Sequence, residues 1–561
     1  MSSRTYRTSE QVDFAIVGSG AAGGVIAREL AQAGFSVVLF EQGARLAAAN
    51  FEHDELKYWF MAGITNDAMK NPQTFRNDPA KKAERTVVRP ALWYARTVGG
   101  SSVHYTANYW RFHEVDFEER TRLGPISGTG FSDWPISYAE LEPYYTKVEW
   151  EIGVSGLAGA SPFDPPRTKP YPMPPLPVKS SGVLFERGAR KLGLHPFPAP
   201  LAINSQLYRG RPGCVHCGFC QGFACEVSAK ASTLTTMIPE AEATGRCEIR
   251  PESYVVQIAT DKRGLAAGVR YFDRDKREHL QKARAVVVCA NGAETPRLLL
   301  MSANGASPHG LANSSGLVGK YLMFNSSART DAVFERELNE YKSVQVSRIL
   351  HDFYDSDPKR GFYGGGGIDA RIGPQPIVWA QRTAEQGAAW GSAYKQRLAE
   401  FSRSMVTYSQ GTSLSVATNS VSLDPQLKDD WGMPAMRVTY KDHPDDLASS
   451  RFLQDRGAEI LEAAGALRVT KSPVSPQTSS THLLGTCRMG NDPAQSVIDR
   501  YHRTHDVPNL FLCDGSSFVT SGRGQPTMTI QALAFRAAEH IAAFARRGEI
   551  PSAGSSGPQR S

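Results

Sequence analysis

The strongest constraint on this chain is the unit from Asp13 to Gly43, DFAIVGSGAAGGVIARELAQAGFSVVLFEQG. Phe14 to Val17 form a short apolar run suited to a buried parallel strand. A G-x-G-x-x-G turn follows at once as Gly18, Ser19, Gly20, Ala21, Ala22 and Gly23. Val25, Ile26, Leu30 and Ala33 then recur at helical spacing, and Gly34 stops the helix. Phe35 to Phe40 make a second strand closed by Glu41.

Each part suits a dinucleotide. The first glycine permits the tight turn, the second lets backbone N–H groups approach a pyrophosphate, and the third lets helix and strand pack closely. Ala21 and Ala22 open the helix, whose N-terminus carries free donors and a positive dipole end. Glu41 stands where a carboxylate accepts from a ribose hydroxyl and repels a 2′-phosphate. A glycine-rich turn alone would mean little. Strand, helix and terminal acid together predict a site for FAD or NAD, not NADP.

With 561 residues the chain can bury a large core, and two domains or more are expected. Its net charge of +7 is spread along the sequence, with no basic block, so nucleic acid is not an expected partner. No apolar run reaches bilayer length. Met1 to Asp13 lacks the apolar core of a secretory signal, so the chain is expected to be cytoplasmic, or periplasmic if exported with a partner. Of eight cysteines, Cys247, Cys289, Cys487 and Cys513 lie among apolar neighbours and read as buried thiols. Cys214, Cys217, Cys220 and Cys225 instead crowd one short segment, spaced closely enough to wrap a metal centre.

Further along, Phe51 to Ala91 is polar and is expected to form loops and short helices over the nucleotide. Gly99, Gly100, Ser101 and Ser102 supply backbone and hydroxyl donors, or make an ordinary loop. Ser137 precedes Glu140 by a capping-box interval at a helix start. Val286 to Leu300 reads as a buried strand, a glycine turn and a helix, which would return the chain to the dinucleotide sheet. From about Ala328 to Val474, glycine runs and alternating stretches such as Leu414 to Leu423 suggest an antiparallel sheet, closed by a helix from about Asp445 to Gly465. Pro508 to Asp514 is another buried strand, and Pro526 opens a long amphipathic helix to about Arg547.

These pieces, in this order, resemble the glucose-methanol-choline oxidoreductases, FAD-dependent enzymes that oxidise alcohols. The resemblance covers nearly the whole chain: the N-terminal unit, VGGSS at Val98 to Ser102, ANGAETPRLL at Ala290 to Leu299, THLLGTCRMG, NLFLCDGSS and PTMTIQALAFRAAEHI. WRF at Trp110 to Phe112 and DWPISYAELEPYY look like the large subunits of bacterial gluconate, sorbitol, fructose and glucose dehydrogenases. Those work with a small export-signal-bearing subunit and a cytochrome c.

The resemblance implies an α/β fold, α+β overall: an FAD-binding Rossmann-like domain with a discontinuous substrate domain built on an antiparallel sheet. The first is expected from 1–125, 226–327 and 480–548, the second from 126–225 and 328–479, with 549–561 a disordered tail. It also implies oxidation of a hydroxyl of a sugar, sugar acid, polyol or glycoside by hydride transfer to flavin N5, with electrons passed to a cytochrome or quinone. The alternatives are an oxygen-using oxidase and a non-catalytic electron-transfer subunit. His482 matches the family's base. Gln525 stands where the family has Asn or His, with the same amide chemistry on a longer stem. Asn108, Val255, Ala290, Asp514, Gly515, Pro526 and Thr527 join the glycines and serines as implied FAD contacts. His104 would either bond covalently to the flavin 8-methyl or pack beneath the ring. The four cysteines would hold an iron–sulfur cluster, hold zinc or remain free thiols.

Overall fold

A computed structural model describes residues 4–553 apart from 61, 62, 340, 372, 374 and 388, with residues 59 and 60 described by backbone only. The Asp13–Gly43 unit folds as its pattern requires. Strand Val12–Val17 leads into helix Ala21–Gln32 and returns as strand Val37–Phe40, paired parallel with Phe14 opposite Val37. The parallel array continues outward through Cys247–Arg250 on one side. On the other side lie the long strand Glu278–Val288 and then Leu510–Leu512. The 14–17 part of the first strand, Val37–Phe40, Leu510–Leu512 and the 285–288 end of the long strand are apolar, as strands covered on both faces must be, whereas the outer strand Cys247–Arg250 is mixed. The four cysteines expected to be buried, Cys247, Cys289, Cys487 and Cys513, are buried.

Glu278–Val288 is long enough to serve two partners. Its C-terminal half pairs parallel to the first strand, while its N-terminal half joins a meander of Tyr254–Thr260 and Ala266–Phe272. Helix Thr527–Arg546 packs on helices Ala21–Gln32 and Tyr138–Val148, with Ala532, Ala534, Ala537 and Ala538 buried along it.

The second large element is a six-stranded antiparallel sheet. Its order is Arg468–Lys471, Ser327–Val333, Ser404–Gly411, Gly366–Arg371, Val346–Leu350 and Phe197–Pro198. Helix Pro444–Ala463, with Pro444 at its first position, covers one face. The alternation at Leu414 to Leu423 is only partly strand: the strand is Ser420–Lys428. Residues 412–419 are held by side chains instead, with Leu414 N–H donating to Asp446 Oδ1 at 3.0 Å and Ser413 N–H to Ser521 Oγ at 2.8 Å. Side-chain acceptors there replace a ladder partner.

A third, four-stranded sheet joins Ser420–Lys428 and Pro434–Thr439 to Gln73–Arg76 and Glu84–Arg85. The 51–91 stretch therefore contributes two strands besides loops. Ser137 and Glu140 form the capping box. Of the expected tail, 554–561 lies outside the described residues, but 550–553 is buried or half-buried. Ile550 is buried and the Ser552 carbonyl accepts from Arg263 Nη2 at 2.7 Å. Among the described residues no helix is long and apolar enough to cross a membrane.

Candidate active site

One cavity of about 370 Å³ runs from the glycine turn to the edge of the six-stranded sheet. Gly18, Gly20, Ala21, Ala22 and Glu41 line one end. Gly100, Ser101, Ser102, His104, Val255, Ala290, Asp514 and Gly515 line its length, and His482, Gln525, Pro526 and Thr527 close the other end. Gly23, Gly99 and Asn108 are not on its wall. Gly23 supports the turn, since a Cβ there would lie 1.8 Å from the Gly18 carbonyl oxygen. Gly99 N–H donates to Ser19 Oγ at 3.0 Å, and Asn108 is buried beside Leu201.

The glycine turn keeps its shape because nothing larger fits. Gly18 has φ +94°, and a Cβ would stand 2.5 Å from the Cys289 carbonyl oxygen. Gly100 has φ +56° and faces Gly20 so closely that a Cβ would meet its Cα at 2.7 Å. Two backbones thus approach with no side chain between them, leaving a bare groove at a helix N-terminus. That is the cradle a pyrophosphate needs. Glu41 is pinned there, with Oε2 accepting from Ser19 Oγ at 2.8 Å and Oε1 from Gly43 N–H at 3.0 Å. Burial raises its carboxyl pKa, opposed by these bonds. Asp514 is held likewise by Thr295 Oγ1 at 2.6 Å and Ser516 N–H at 2.7 Å.

At the far end His482 meets Asn325, a residue that no motif singles out. Its Nδ1 lies 2.7 Å from Asn325 Oδ1. The Asn325 amide nitrogen donates to the carbonyls of Gly411 at 3.0 Å and Gly522 at 3.1 Å. Those two acceptors fix which end of the amide is oxygen. His482 Nδ1 must therefore carry the proton, leaving the Nε2 lone pair free. Burial, assisted by the Arg371 charge, lowers the His482 pKa to about 4, so the ring is a neutral acceptor near pH 7. Gln525 donates from Nε2 to Gln410 Oε1. Gln410, Arg371 and Tyr408 share this wall. They sit on neighbouring strands far from either motif in sequence, which is why periodicity and motif reading passed over them.

His104 lines the cavity near its middle, with Nε2 buried and without a hydrogen-bond partner among the described residues. Burial and the Lys230 ammonium lower its pKa to about 4. Lys230 donates to the carbonyls of Tyr105, Cys220 and Phe223 at 2.8, 2.7 and 2.7 Å, and Gly222 N–H donates to the His104 carbonyl at 2.8 Å. The cysteine segment is thereby strapped to the His104 loop. Its thiols are not gathered as ligands. Cys217 is exposed and Cys220 buried, with its thiol pushed up to about 12 by burial. Among the described residues no three His, Cys, Asp or Glu side chains are placed to hold a metal ion. Four thiolates suit iron–sulfur or zinc by chemistry, but in this arrangement no three converge on one ion.

Comparisons with known proteins agree with this architecture. The GMC oxidoreductase family models match residues 12–326 and 415–534. The 2-methyl-1,2-propanediol dehydrogenase of Mycolicibacterium austroafricanum is 37% identical, covering 95% of this chain and 96% of that protein. The fructose dehydrogenase large subunit of Gluconobacter japonicus is 31% identical (94% and 97% covered), and the gluconate 2-dehydrogenase flavoprotein of Pantoea cypripedii 28% (95% and 94%). Among solved structures, pyridoxine 4-oxidase from Mesorbium loti superposes with a TM-score of 0.61 at 17% identity, covering 95% and 99% of the two chains. The fold and site define a flavoprotein oxidoreductase acting on CH–OH groups. The chain belongs to the GMC oxidoreductase family, whose members bind FAD.

Proposed function

We propose that the chain is a dehydrogenase that oxidises a hydroxyl of a sugar, sugar acid, polyol or glycoside, with His482 as the base. One observation carries this reading. The Asn325 clamp leaves His482 with a free Nε2 lone pair in the same cavity as the glycine turn. FAD bound along the cavity would supply the hydride acceptor. Gly18, Gly20, Ala21 and Ala22 would take its pyrophosphate, Glu41 its ribose, and Gly100 to Ser102, Ala290, Asp514 and Gly515 its remaining length.

His482 Nε2 then accepts the hydroxyl proton as the carbinol hydrogen departs. Gln525, fixed by Gln410, orients the reacting oxygen through its amide. The N-terminus of helix Thr527–Arg546 has no side-chain cap, and its positive end stabilises negative charge gathering at that end of the cavity. We assign the cofactor-binding part to 1–125, 226–327 and 480–548 and the substrate-facing part to 126–225 and 328–479. Electrons would leave to a cytochrome or quinone, with a small export-signal-bearing subunit as partner. No step is routed through the cysteine segment.

Anaerobic screening of flavin bleaching with sugars, polyols, glycosides and aliphatic alcohols tests the reading. His482→Ala should retain FAD and lose bleaching. Comparing peroxide yield with and without an artificial acceptor separates dehydrogenase from oxidase. Acid precipitation tests His104, because flavin that stays wholly in the supernatant excludes a covalent bond.

A further inference from the structure

Beyond His482, the cavity wall comes from two paired strands, with Asp369 opposite Tyr408 and Arg371 two residues along. Arg371 commits two of its three guanidinium nitrogens to one carboxylate. Nε donates to Asp369 Oδ1 at 2.6 Å and Nη2 to Asp369 Oδ2 at 2.9 Å. Both side chains are buried, and the guanidinium carbon lies 4.2 Å from the centre of the Tyr408 ring. Nη1 makes no hydrogen bond among the described residues and is not sealed from the cavity, and the same holds for the Tyr408 hydroxyl.

Charge decides what this corner can hold. Among the described residues Arg371 is the one lysine or arginine on the cavity wall. Its charge is partly offset by Asp369, though it still reaches His482, while Gln410 and Gln525 carry none. Of the wall's carboxylates, Glu294 pairs with Arg297, Glu41 accepts from Ser19 and Gly43, and Asp514 accepts from Thr295 and Ser516. A sugar acid would bring a carboxylate beside that of Asp369, with only Nη1 left to meet it. A substrate ammonium would face the guanidinium with no carboxylate of its own. A hydroxyl needs one donor and one acceptor at modest cost, and Nη1 with the Tyr408 phenol supplies both.

We propose that the Arg371–Asp369 pair is the specificity determinant of this site: Arg371 Nη1 and the Tyr408 hydroxyl read a second hydroxyl of a neutral polyol, and the site excludes sugar acids and amines. This rests on the alcohol-oxidising reading with His482 as base. A guanidinium whose attraction for anions is offset by the adjoining carboxylate keeps one nitrogen to read a hydroxyl.

The test uses holoenzyme and two readouts. Anaerobic stopped-flow reduction is measured with glucitol, propane-1,2-diol, propan-1-ol, gluconate and glycerate. Binding of the same compounds to the reduced holoenzyme, which cannot turn them over, is measured by calorimetry. Neutral polyols should exceed the matching acids by about 100-fold or more, and the diol should exceed propan-1-ol by about tenfold or more. Asp369→Asn should move the acid-to-polyol ratio at least about tenfold toward the acid, and Tyr408→Phe should narrow the diol-to-monoalcohol gap. Acids preferred by wild-type enzyme, or an unchanged ratio in folded, flavin-replete Asp369→Asn, would overturn the proposal. If that variant does not fold, the wild-type series decides. If nothing bleaches the flavin, the alcohol-oxidising reading fails, and calorimetry still decides whether neutral polyols are the preferred ligands.

Discussion

Replacing Asn325 with Asp puts a negative charge where a neutral amide oxygen now lies 2.7 Å from His482 Nδ1. Taking about 4 Å between charge centres and an effective dielectric near 20, the attraction for imidazolium is ~4 kcal/mol, or ~3 pH units. His482, now at about 4, should therefore titrate near ~7 in Asn325→Asp. The base works only when neutral, so the sign is fixed. Wild-type flavin reduction should be flat from about pH 5.5 upward, while the variant loses rate as pH falls through 7. At pH 5.5 only about 3% of the variant's imidazole would be unprotonated, a roughly thirtyfold loss. The Gly411 and Gly522 carbonyls lose their donor in the variant, costing ~1–3 kcal/mol each, so folding and FAD content must be checked first. Asn325→Leu is the uncharged control and should slow reduction at every pH without moving the profile. Stopped-flow reduction between pH 5 and 9 is the assay. Profiles of wild type and Asn325→Asp that superimpose would refute the claim that this amide holds the ring.

Three further outcomes are expected. Gly18→Ala adds a Cβ 2.5 Å from a backbone oxygen at φ +94°, so it should fold poorly or purify without FAD, as the absorbance ratio at 450 and 280 nm will show. Lys230→Met leaves three carbonyls without their donor and should free the cysteine segment, lowering Tm and speeding thiol labelling of Cys220. Burial lowers His351 and His502 to about 3, below their unfolded value near 6.5. The stability they contribute is complete above that value and drains away as pH falls from about 6.5 toward 3. Urea midpoints should drop over that window, and His351→Phe should flatten the slope.

Some features follow from local pattern. The strand, glycine turn and helix at 12–32 are set by side-chain period and by a turn that admits only glycine at Gly18. The capping box at Ser137 and Glu140 and the helix opened by Pro526 are equally local. The strand end after Leu423 and the packed Ile550 were not legible, because long-range partners decide them.

The sequence by itself determined that this chain folds around a dinucleotide turn and carries His482 in a motif that resembles the family's. Those facts rest on backbone sterics and on motifs confined to a few adjacent residues. Only tertiary structure decided which atom of that histidine is free, because Asn325, just before strand Ser327–Val333, is far from His482 in sequence and its amide is oriented by the carbonyls of Gly411 at a strand end and Gly522 in a loop. The cavity's charge was set at both levels: strand alternation puts Asp369 and Arg371 on one face, and tertiary packing buries that pair against Tyr408 on the wall shared with His482. Tertiary structure also left the four cysteines near one another without converging three of them on one ion among the described residues, because close spacing fixes only how near thiols can come, and burial and loop path fix where they lie.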